Sequence, residues 1–187
     1  MVKWFDVNLN WADVKTLDVV VGKTRNERVI VLNGVKYTRQ MLKKGKPSSL
    51  TGTRMHLFGL DFVIKVDSPH LYRSWGMNEA RKQSNVEFQI WNTIKNKDRK
   101  YFAEVVDYKE DSYIVFKRYP EIDNMNQPKQ KIYKRYVDKI EKLVNDYGLS
   151  DIDTDTWGKS HETHNWAMVG GKPLIFDYGF SLDDACI

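Results

Sequence analysis

The sequence predicts an α+β fold in which an antiparallel sheet is interrupted by one helix and followed by a longer helix and a final hairpin. Short β-branched runs separated by turn residues occupy the first third of the chain. Two segments, residues 86–94 and 129–147, instead repeat their apolar side chains at helical spacing. Two apolar runs, separated by a turn sequence, then lie between Asn165 and Phe180.

Five short strands are predicted in the first third of the chain, at residues 18–22, 28–32, 35–38, 53–58 and 62–66. The second and third flank Asn33-Gly34, and an Asn-Gly pair is the two-residue turn most typical of a β-hairpin. In the fifth strand, apolar residues alternate with Val63 and Lys65. This alternation predicts that Lys65 lies on the opposite face of the sheet from Phe62 and its apolar neighbours.

The inserted helix is predicted at residues 86–94, because the apolar residues of this segment recur every three or four positions. Two further strands are predicted at residues 101–108 and 112–119, with a Lys-Glu-Asp turn between them. Pro120 ends the second of these strands, since proline cannot donate a hydrogen bond to a neighbouring strand.

A polar connector, residues 120–128, separates the sheet from the longer helix predicted at residues 129–147. The apolar residues of this helix recur four positions apart, and Gly148 ends it. A second polar stretch, residues 150–164, then leads into the final hairpin.

The chain has 187 residues and a formal net charge of +5. Hydrophobic residues make up 41% and charged residues 29%, which is typical of a globular protein and excludes wholesale disorder. The mild positive charge suits an anionic ligand such as ATP or an acidic partner, and a generic solvated surface accounts for it equally well. Because the basic residues are scattered rather than massed, a nucleic-acid-binding domain ranks last among the interpretations.

Cys186 is the one cysteine of the chain, so no internal disulfide and no cysteine-based zinc site can form. This cysteine usage is typical of a reducing cytoplasm. The first residues lack an apolar core with a cleavage site, and no stretch approaches the length needed to cross a membrane. We therefore expect a soluble, cytoplasmic protein with no membrane partner.

The final hairpin is predicted to bring two oxygen-bearing side chains to the same end. Asn165 opens its first strand, a Gly-Gly-Lys-Pro turn reverses the chain, and the second strand ends at Asp177. Mg²⁺ binds a few protein oxygens and leaves the rest of its coordination shell to water and phosphate. Asn165 and Asp177 are therefore candidate ligands for a Mg²⁺ ion that accompanies a nucleotide.

Lys65 interrupts the apolar run of its strand. It is either an edge-strand lysine that points to solvent, or an ammonium group that reaches the phosphates of a nucleotide. In the second interpretation, a carboxylate from the following helix holds the ammonium in place. Glu79 and Glu87 are the candidates, and Glu87 is favoured because it lies within the most apolar part of the helix.

The order of these motifs resembles the protein-kinase-like fold, which includes aminoglycoside phosphotransferases and small phage-encoded kinases. The family places a lysine in a strand, a glutamate in the next helix, a catalytic-loop asparagine and an Asp-Phe-Gly motif. The matching residues here are Lys65 in Phe-Val-Ile-Lys, Glu87, Asn165 and Asp177-Tyr178-Gly179. The resemblance spans about residues 40–180 and is greatest to phage-encoded serine/threonine kinases.

The resemblance implies a protein-kinase-like two-lobed fold. Residues 1–39 are expected to form an N-terminal β extension that extends the sheet or provides a partner surface. Residues 40–119 are expected to form an N-lobe with an antiparallel sheet and one helix. Residues 120–187 are expected to form a truncated, minimal helical C-lobe.

The resemblance also implies a binding site for ATP and Mg²⁺. The residues that it assigns to this site are Lys65, Phe116, Lys117, Tyr119, Asn165 and Asp177, with Glu87 as the partner of Lys65. Asn165 and Asp177 are expected to hold the metal, and Phe116 to face the back of the adenine pocket. Backbone groups from Lys117 to Tyr119 are expected to contact the base, and the alternative for this segment is an ordinary core strand.

Two loops depart from the family pattern. The loop expected to cover the phosphates, residues 45–52, has glycines only at its two ends, so an ordinary hairpin loop is an equal alternative. The position of the catalytic base, five residues before Asn165, is occupied by Ser160, which cannot accept a proton as a carboxylate would. The nearby acid–base residues that are expected to replace it are His161 and Glu162, with Asp153 and Asp155 as alternatives.

The sequence ends at Ile187, where a protein kinase would continue with an activation segment and peptide-docking helices. We therefore expect either an ATP-dependent serine/threonine protein kinase that acts on host proteins, or a catalytically inactive kinase-like module that binds and inhibits a host protein. A host protein or a second copy in a homodimer is expected to cover the truncated face. If phage-encoded, the protein acts in the cytoplasm of the infected cell.

Overall fold

A computed structural model describes residues 7–20, 27–38, 55–66, 83–119, 142, 145–147, 166–169 and 172–175. They form strands β1 (Leu17–Val20), β2 (Val29–Leu32), β3 (Val35–Thr38), β4 (Met55–Phe58), β5 (Phe62–Val66), β6 (Val105–Lys109), β7 (Tyr113–Lys117), β8 (Trp166–Val169) and β9 (Lys172–Ile175), and the helix α1 (Gln83–Thr93). All pairings between these strands are antiparallel, which confirms the α+β class. Within these ranges, no helix is long and apolar enough to span a membrane.

The chain divides into two compact units. Unit 1 comprises Met1–Asn85 and Val105–Arg118, and unit 2 comprises Val86–Glu104 and Tyr119–Ile187. Segments that are distant in sequence join the same unit, because β6 and β7 return to the sheet that β4 and β5 begin. The domain boundaries expected from the sequence stay predictions.

Unit 1 contains two sheets that share one hydrophobic core. The first sheet has the strand order β1-β2-β3, and the second has the order β4-β5-β7-β6. Alternation selects which side chains enter the core: in β2, Ile30 and Leu32 are buried, whereas Val29 and Val31 are half-buried. The buried core residues of the two sheets are Ile30, Leu32, Met55, Leu57, Phe62, Ile64, Val66, Tyr113 and Val115.

The β2–β3 hairpin has the Asn-Gly turn expected from the sequence. Asn33 and Gly34 have φ angles of 49° and 80°, and a type I′ turn requires a positive φ at both positions. The Asn33 side chain also ties the segment before β1 to this turn. Its Oδ1 accepts hydrogen bonds from the N–H groups of Lys15 and Thr16 at 2.7 and 3.1 Å, and its Nδ2 donates to the Asp13 carbonyl at 2.9 Å.

Unit 2 contains β8 and β9, which form the predicted final hairpin. The Ala103 N–H donates to the Ile175 carbonyl at 2.6 Å, and Phe102 forms an isolated bridge with Ile175. Phe102 and Ala103 are both buried. The prediction that residues 101–108 form one strand is therefore wrong for its first part, because this backbone is bonded to β9 and β6 begins at Val105.

The end of the longer predicted helix also contributes to unit 2. Lys142 forms an ion pair with Asp146 at 2.8 Å, across one helical turn. The Tyr147 hydroxyl donates to the Asp98 carboxylate at 2.9 Å and accepts a hydrogen bond from the Lys95 N–H at 3.1 Å. The remainder of the predicted helix at 129–147 lies outside the described residues.

The pKa of Tyr113 predicts how the stability of the fold depends on pH. Burial in the core of unit 1, followed by the nearby Asp107 carboxylate, raises the pKa of Tyr113 from 10.0 to about 12. The hydroxyl donates a hydrogen bond to Asp107 at 3.1 Å, which only the neutral phenol can do. The folded state therefore holds this proton more tightly than the unfolded state, and the resulting stability is complete below pH 10 and is lost as pH rises through 12.

Replacement of Tyr113 by phenylalanine is expected to remove this alkaline loss. A shift of one pKa unit corresponds to about 1.4 kcal/mol, so the free energy of unfolding of the wild-type protein is expected to fall by about 1–2 kcal/mol more than that of the variant between pH 9 and about 11.5. Urea unfolding at the two pH values measures the difference. An equal loss in both proteins would show that Tyr113 does not carry the effect.

Candidate functional site

Lys65 lies in the interior of the four-stranded sheet. Its strand, β5, is paired with β4 on one side and β7 on the other, and Lys65 is directly opposite His56 and Ile114. The side chain is only 5% exposed. The interpretation of Lys65 as a solvent-facing edge lysine is therefore wrong, because β5 is not an edge strand and its lysine is buried.

The two faces of β5 have different roles. Phe62, Ile64 and Val66 enter the core that the two sheets of unit 1 share. Lys65 lies on the opposite face, as the alternation predicts. On β7, Phe116 is opposite Val63 and Ile114 is opposite Lys65. The aromatic ring of Phe116 and the aliphatic side chain of Ile114 therefore lie on the same face of the sheet as Lys65.

Phe116 packs directly against the charged end of Lys65. The Lys65 Nζ is 4.6 Å from the centre of the Phe116 ring, and Phe116 is 2% exposed. An ammonium over an aromatic face at this distance gains about 2 kcal/mol when both groups are desolvated. The expectation that Phe116 faces the nucleotide stays a prediction, but its ring orients the lysine that is predicted to bind the phosphates.

A buried ammonium is costly unless an anion or several hydrogen-bond acceptors compensate it. A lysine therefore persists in the middle of a sheet where a negative group, or several hydrogen-bond acceptors, are held close to it. This requirement is met both by a structural carboxylate and by the phosphates of a bound nucleotide. The chemistry of Lys65 thus fits a phosphate-binding role.

Glu87 is fully buried in α1, where Val86 and Ile90 are also buried, as is Ile94 directly after the helix. The prediction that Glu87 faces inward is confirmed, and Glu79 lies outside the described residues. Lys65 belongs to unit 1 and Glu87 to unit 2. Each is a buried charge within its own unit, and their pairing stays a prediction.

The segment after β7 carries the backbone groups that are predicted to contact the base. Lys117 is exposed, and Arg118 and Tyr119 are half-buried. The Arg118 N–H donates to the Asp61 carbonyl at 2.8 Å, and the Arg118 Nη1 donates to the Gly59 carbonyl at 2.7 Å. Because the Arg118 N–H is bonded within unit 1, the predicted contact to the base concerns the backbone groups of Lys117 and Tyr119.

Burial raises the pKa of the Tyr119 phenol above its usual value. A hydrogen bond with the Glu104 backbone offsets part of this rise in the pKa, and the charge of the Glu104 carboxylate raises the pKa further. The phenol of Tyr119 is therefore neutral at physiological pH, and it adds no charge beside the segment that is predicted to bind ATP.

The candidate Mg²⁺ ligands, Asn165 and Asp177, lie outside the described residues, but the hairpin between them is described. β8 begins one residue after Asn165, and β9 ends two residues before Asp177. Trp166 pairs with Ile175, so these two strand ends are adjacent. This register is the one required to bring both candidate ligands to the same end of the hairpin.

The second strand of this hairpin begins earlier than predicted. Lys172 pairs with Val169 and is the first residue of β9, and Pro173 follows it in the strand. The prediction of a four-residue Gly-Gly-Lys-Pro turn is therefore wrong for its last two residues.

The remaining acid–base candidates, His161 and Glu162, also lie outside the described residues, as do Ser160, Asp153 and Asp155. Within the part of the chain that the structure describes, no group of three or more His, Cys, Asp and Glu side chains could hold a metal ion. A Mg²⁺ site at the hairpin thus depends on residues beyond this part, and it stays a prediction.

Sequence reasoning missed a polar cluster at the start of α1. The Asn85 side chain is hydrogen-bonded to Tyr108 and Asp111, at the turn between β6 and β7. The Lys-Glu-Asp sequence predicted this turn but not its partner. The positive φ of Asp111, 58°, is the only unusual local feature there, and aspartate tolerates it better than most residues.

No family model matches the chain, and neither a curated protein nor a solved structure matches it. The resemblance to protein kinases therefore rests on the order of the motifs in the sequence.

Proposed function

We propose that the protein is an ATP-dependent phosphotransferase, a serine/threonine protein kinase of the small phage-encoded type that acts on host proteins. The observation that carries this proposal is the buried Lys65, held by the Phe116 ring in the interior of an antiparallel sheet. A second observation supports it: β7, which carries Phe116, pairs directly with the lysine strand although α1 and β6 intervene in sequence.

Each residue of the candidate site has its own role in the proposed reaction. Lys65 binds the phosphates of ATP through its ammonium group, and the buried Glu87 carboxylate holds that ammonium in its binding position. Asn165 and Asp177 hold Mg²⁺, which neutralises phosphate charge when it is bound. Phe116 limits the depth of the adenine site, and the backbone of Lys117 and Tyr119 contacts the base.

The reaction transfers the γ-phosphoryl group to a serine or threonine hydroxyl. The hydroxyl oxygen forms a bond to the γ-phosphorus, the bond from that phosphorus to the bridging oxygen of ADP breaks, and ADP leaves. The hydroxyl proton passes to an acid–base residue of the loop before Asn165, with His161 and Glu162 as the candidates. Positioning and charge stabilisation provide most of the rate enhancement in such reactions, so a small protein suffices.

A second candidate function is a nucleotide-binding module without phosphotransferase activity, which binds and inhibits a host protein. The observation that favours it is Ser160, which occupies the place of the catalytic aspartate. In this case Lys65, Asn165 and Asp177 still bind ATP and Mg²⁺, but no residue accepts the hydroxyl proton.

Replacement of Asp177 by alanine distinguishes these candidates. The protein is incubated with γ-labelled ATP, Mg²⁺ and either casein or a lysate of the host cell. We expect label transfer by the wild-type protein and a loss of about a hundredfold or more in the variant, because a direct metal ligand is removed. Asp18→Ala, which removes an exposed carboxylate from β1, is the matched control and is expected to retain transfer.

The other outcomes separate the two functions. Without label transfer, a rise in the thermal midpoint on addition of ATP and Mg²⁺ that is lost in Asp177→Ala would support the inactive module. If the wild-type protein neither transfers label nor shows a thermal shift, both proposals are wrong.

A further inference from the structure

The start of α1 is tied to the turn between β6 and β7 by one side chain. Asn85 Nδ2 donates a hydrogen bond to Asp111 Oδ1 at 2.9 Å. Asn85 Oδ1 accepts two hydrogen bonds, from the Asp111 N–H at 3.1 Å and from the Tyr108 hydroxyl at 2.9 Å. We refer to Asn85, Tyr108 and Asp111 as the Asn85 latch. All three residues belong to unit 1.

The latch holds a strained turn. Asp111 has a φ of 58°, in the left-handed region that is uncommon for residues other than glycine, although aspartate adopts it more readily than most. The Ser112 N–H closes the same turn by donating to the Lys109 carbonyl at 3.1 Å. Such a conformation costs about 1 kcal/mol or more and persists only where surrounding contacts enforce it. Two of these contacts come from Asn85, through both the side chain and the backbone of Asp111.

Asn85 does little by itself to stabilise the helix in which it lies. Asparagine has a low helix propensity, and Asn85 lies within the first turn of α1. The first turn contains no acidic residue that would stabilise the positive end of the helix dipole. The position of the first turn therefore depends on contacts outside the helix, and the latch supplies three of them.

We propose that Asn85 is a positioning residue, which fixes the start of α1 on the β6–β7 turn and thereby sets the position of Glu87. Glu87 follows Asn85 by two residues in the same helix, so a displaced first turn displaces its carboxylate. The catalytic consequence rests on the proposed phosphotransferase function. The structural consequence, a helix start that is held by the β6–β7 turn, does not.

An exchange of the two polar groups tests the latch. Asn85→Asp places two carboxylates where Asn85 Nδ2 and Asp111 Oδ1 are now hydrogen-bonded, so repulsion replaces one bond. Adding Asp111→Asn restores the bond with donor and acceptor reversed, and the Tyr108 hydroxyl and the residue 111 N–H still find an acceptor. Asp111→Asn alone keeps every hydrogen bond of the Asn85 latch. Gln89→Glu, an amide-to-acid change at an exposed position in the middle of α1, is the matched control.

Amide hydrogen exchange gives the first readout. We expect Asn85→Asp to lower the protection of the α1 amides at least tenfold more than that of the β5 and β7 amides. The double variant and Asp111→Asn are expected to stay within about threefold of wild type, as is Gln89→Glu. Equal protection of α1 in wild type and Asn85→Asp would overturn the proposal, as would a double variant as unprotected as the single one.

The transfer rate of the folded protein gives the second readout, measured well below the thermal midpoint of every variant. We expect the kcat for label transfer to fall at least tenfold in Asn85→Asp and to recover in the double variant. An unchanged kcat in a variant with an unprotected α1 would overturn the positioning role. If wild type transfers no label, the proposed function fails, and the exchange experiment still decides whether the latch holds the helix.

Discussion

Replacement of Lys65 by methionine is expected to weaken the binding of ATP and Mg²⁺ by about ten- to a hundredfold. A hydrogen bond to a charged group contributes about 1.5–3 kcal/mol, and each 1.4 kcal/mol is a factor of ten in affinity. Methionine keeps the length and apolar stem of lysine, so the packing against Phe116 is largely retained. Isothermal titration with ATP and Mg²⁺ measures the change.

Lys36→Met is the matched control for this experiment. Lys36 is also a lysine within a strand, but it is exposed on β3 and distant in sequence from every residue of the proposed site. Its replacement is expected to leave the affinity unchanged. Unaltered ATP affinity in Lys65→Met, in a protein that is folded by circular dichroism, would contradict the proposed role of Lys65.

A double-mutant cycle with Glu87→Gln tests the predicted pairing separately from nucleotide binding. The free energy of unfolding is measured for both single variants and for the double variant, in the absence of ATP. If the two buried charges interact, the double variant is expected to differ from the sum of the single effects by about 1 kcal/mol or more. Additive effects would show that each charge is compensated by other groups.

Much of unit 1 follows from local sequence patterns. The Asn33-Gly34 turn and the alternation of β5 are each encoded within a few neighbouring residues, and so is the inward orientation of Glu87 in unit 2, because turn geometry and side-chain periodicity are local properties. The face on which Lys65 lies was predictable for the same reason.

Strand order was not predictable in the same way. Whether Lys65 is exposed or buried depends on whether β5 is an edge strand, and this depends on its pairing with β7, about fifty residues later in the chain. The alternation of β5 is the same in both cases. The burial of Lys65, which supports its proposed phosphate-binding role, therefore comes from a long-range contact.

The strand predicted at residues 101–108 was extended too far for a related reason. Phe102 and Ala103 have the apolar character of a buried strand, and they are buried. Their backbone partner, however, is Ile175 rather than β7. The Asn85 latch was missed on the same grounds, because an asparagine in a helix gives no sign of a partner on a turn more than twenty residues away.

The substitution Gly59→Ala is expected to lower the free energy of unfolding by about 3 kcal/mol or more. Gly59 lies in the turn between β4 and β5, and a Cβ atom at this position would overlap the ring of Phe62. That ring is fully buried and packs edge-on against Trp11, with 5.3 Å between the ring centres, so it cannot move aside without disturbing the core. Overpacking of this kind is among the more costly changes in a protein interior.

Two comparisons give this prediction a sharp test by urea unfolding. Gly34→Ala introduces the same methyl group at a turn where, among the described residues, no atom lies within 4 Å, and it is expected to cost only about 1 kcal/mol for its positive φ. The double variant Gly59→Ala with Phe62→Leu is expected to lose less free energy of unfolding than the two single variants lose in sum, because the smaller side chain relieves the overlap. Additive losses, or equal losses at Gly34 and Gly59, would show that the Phe62 ring is not what excludes a side chain from this turn.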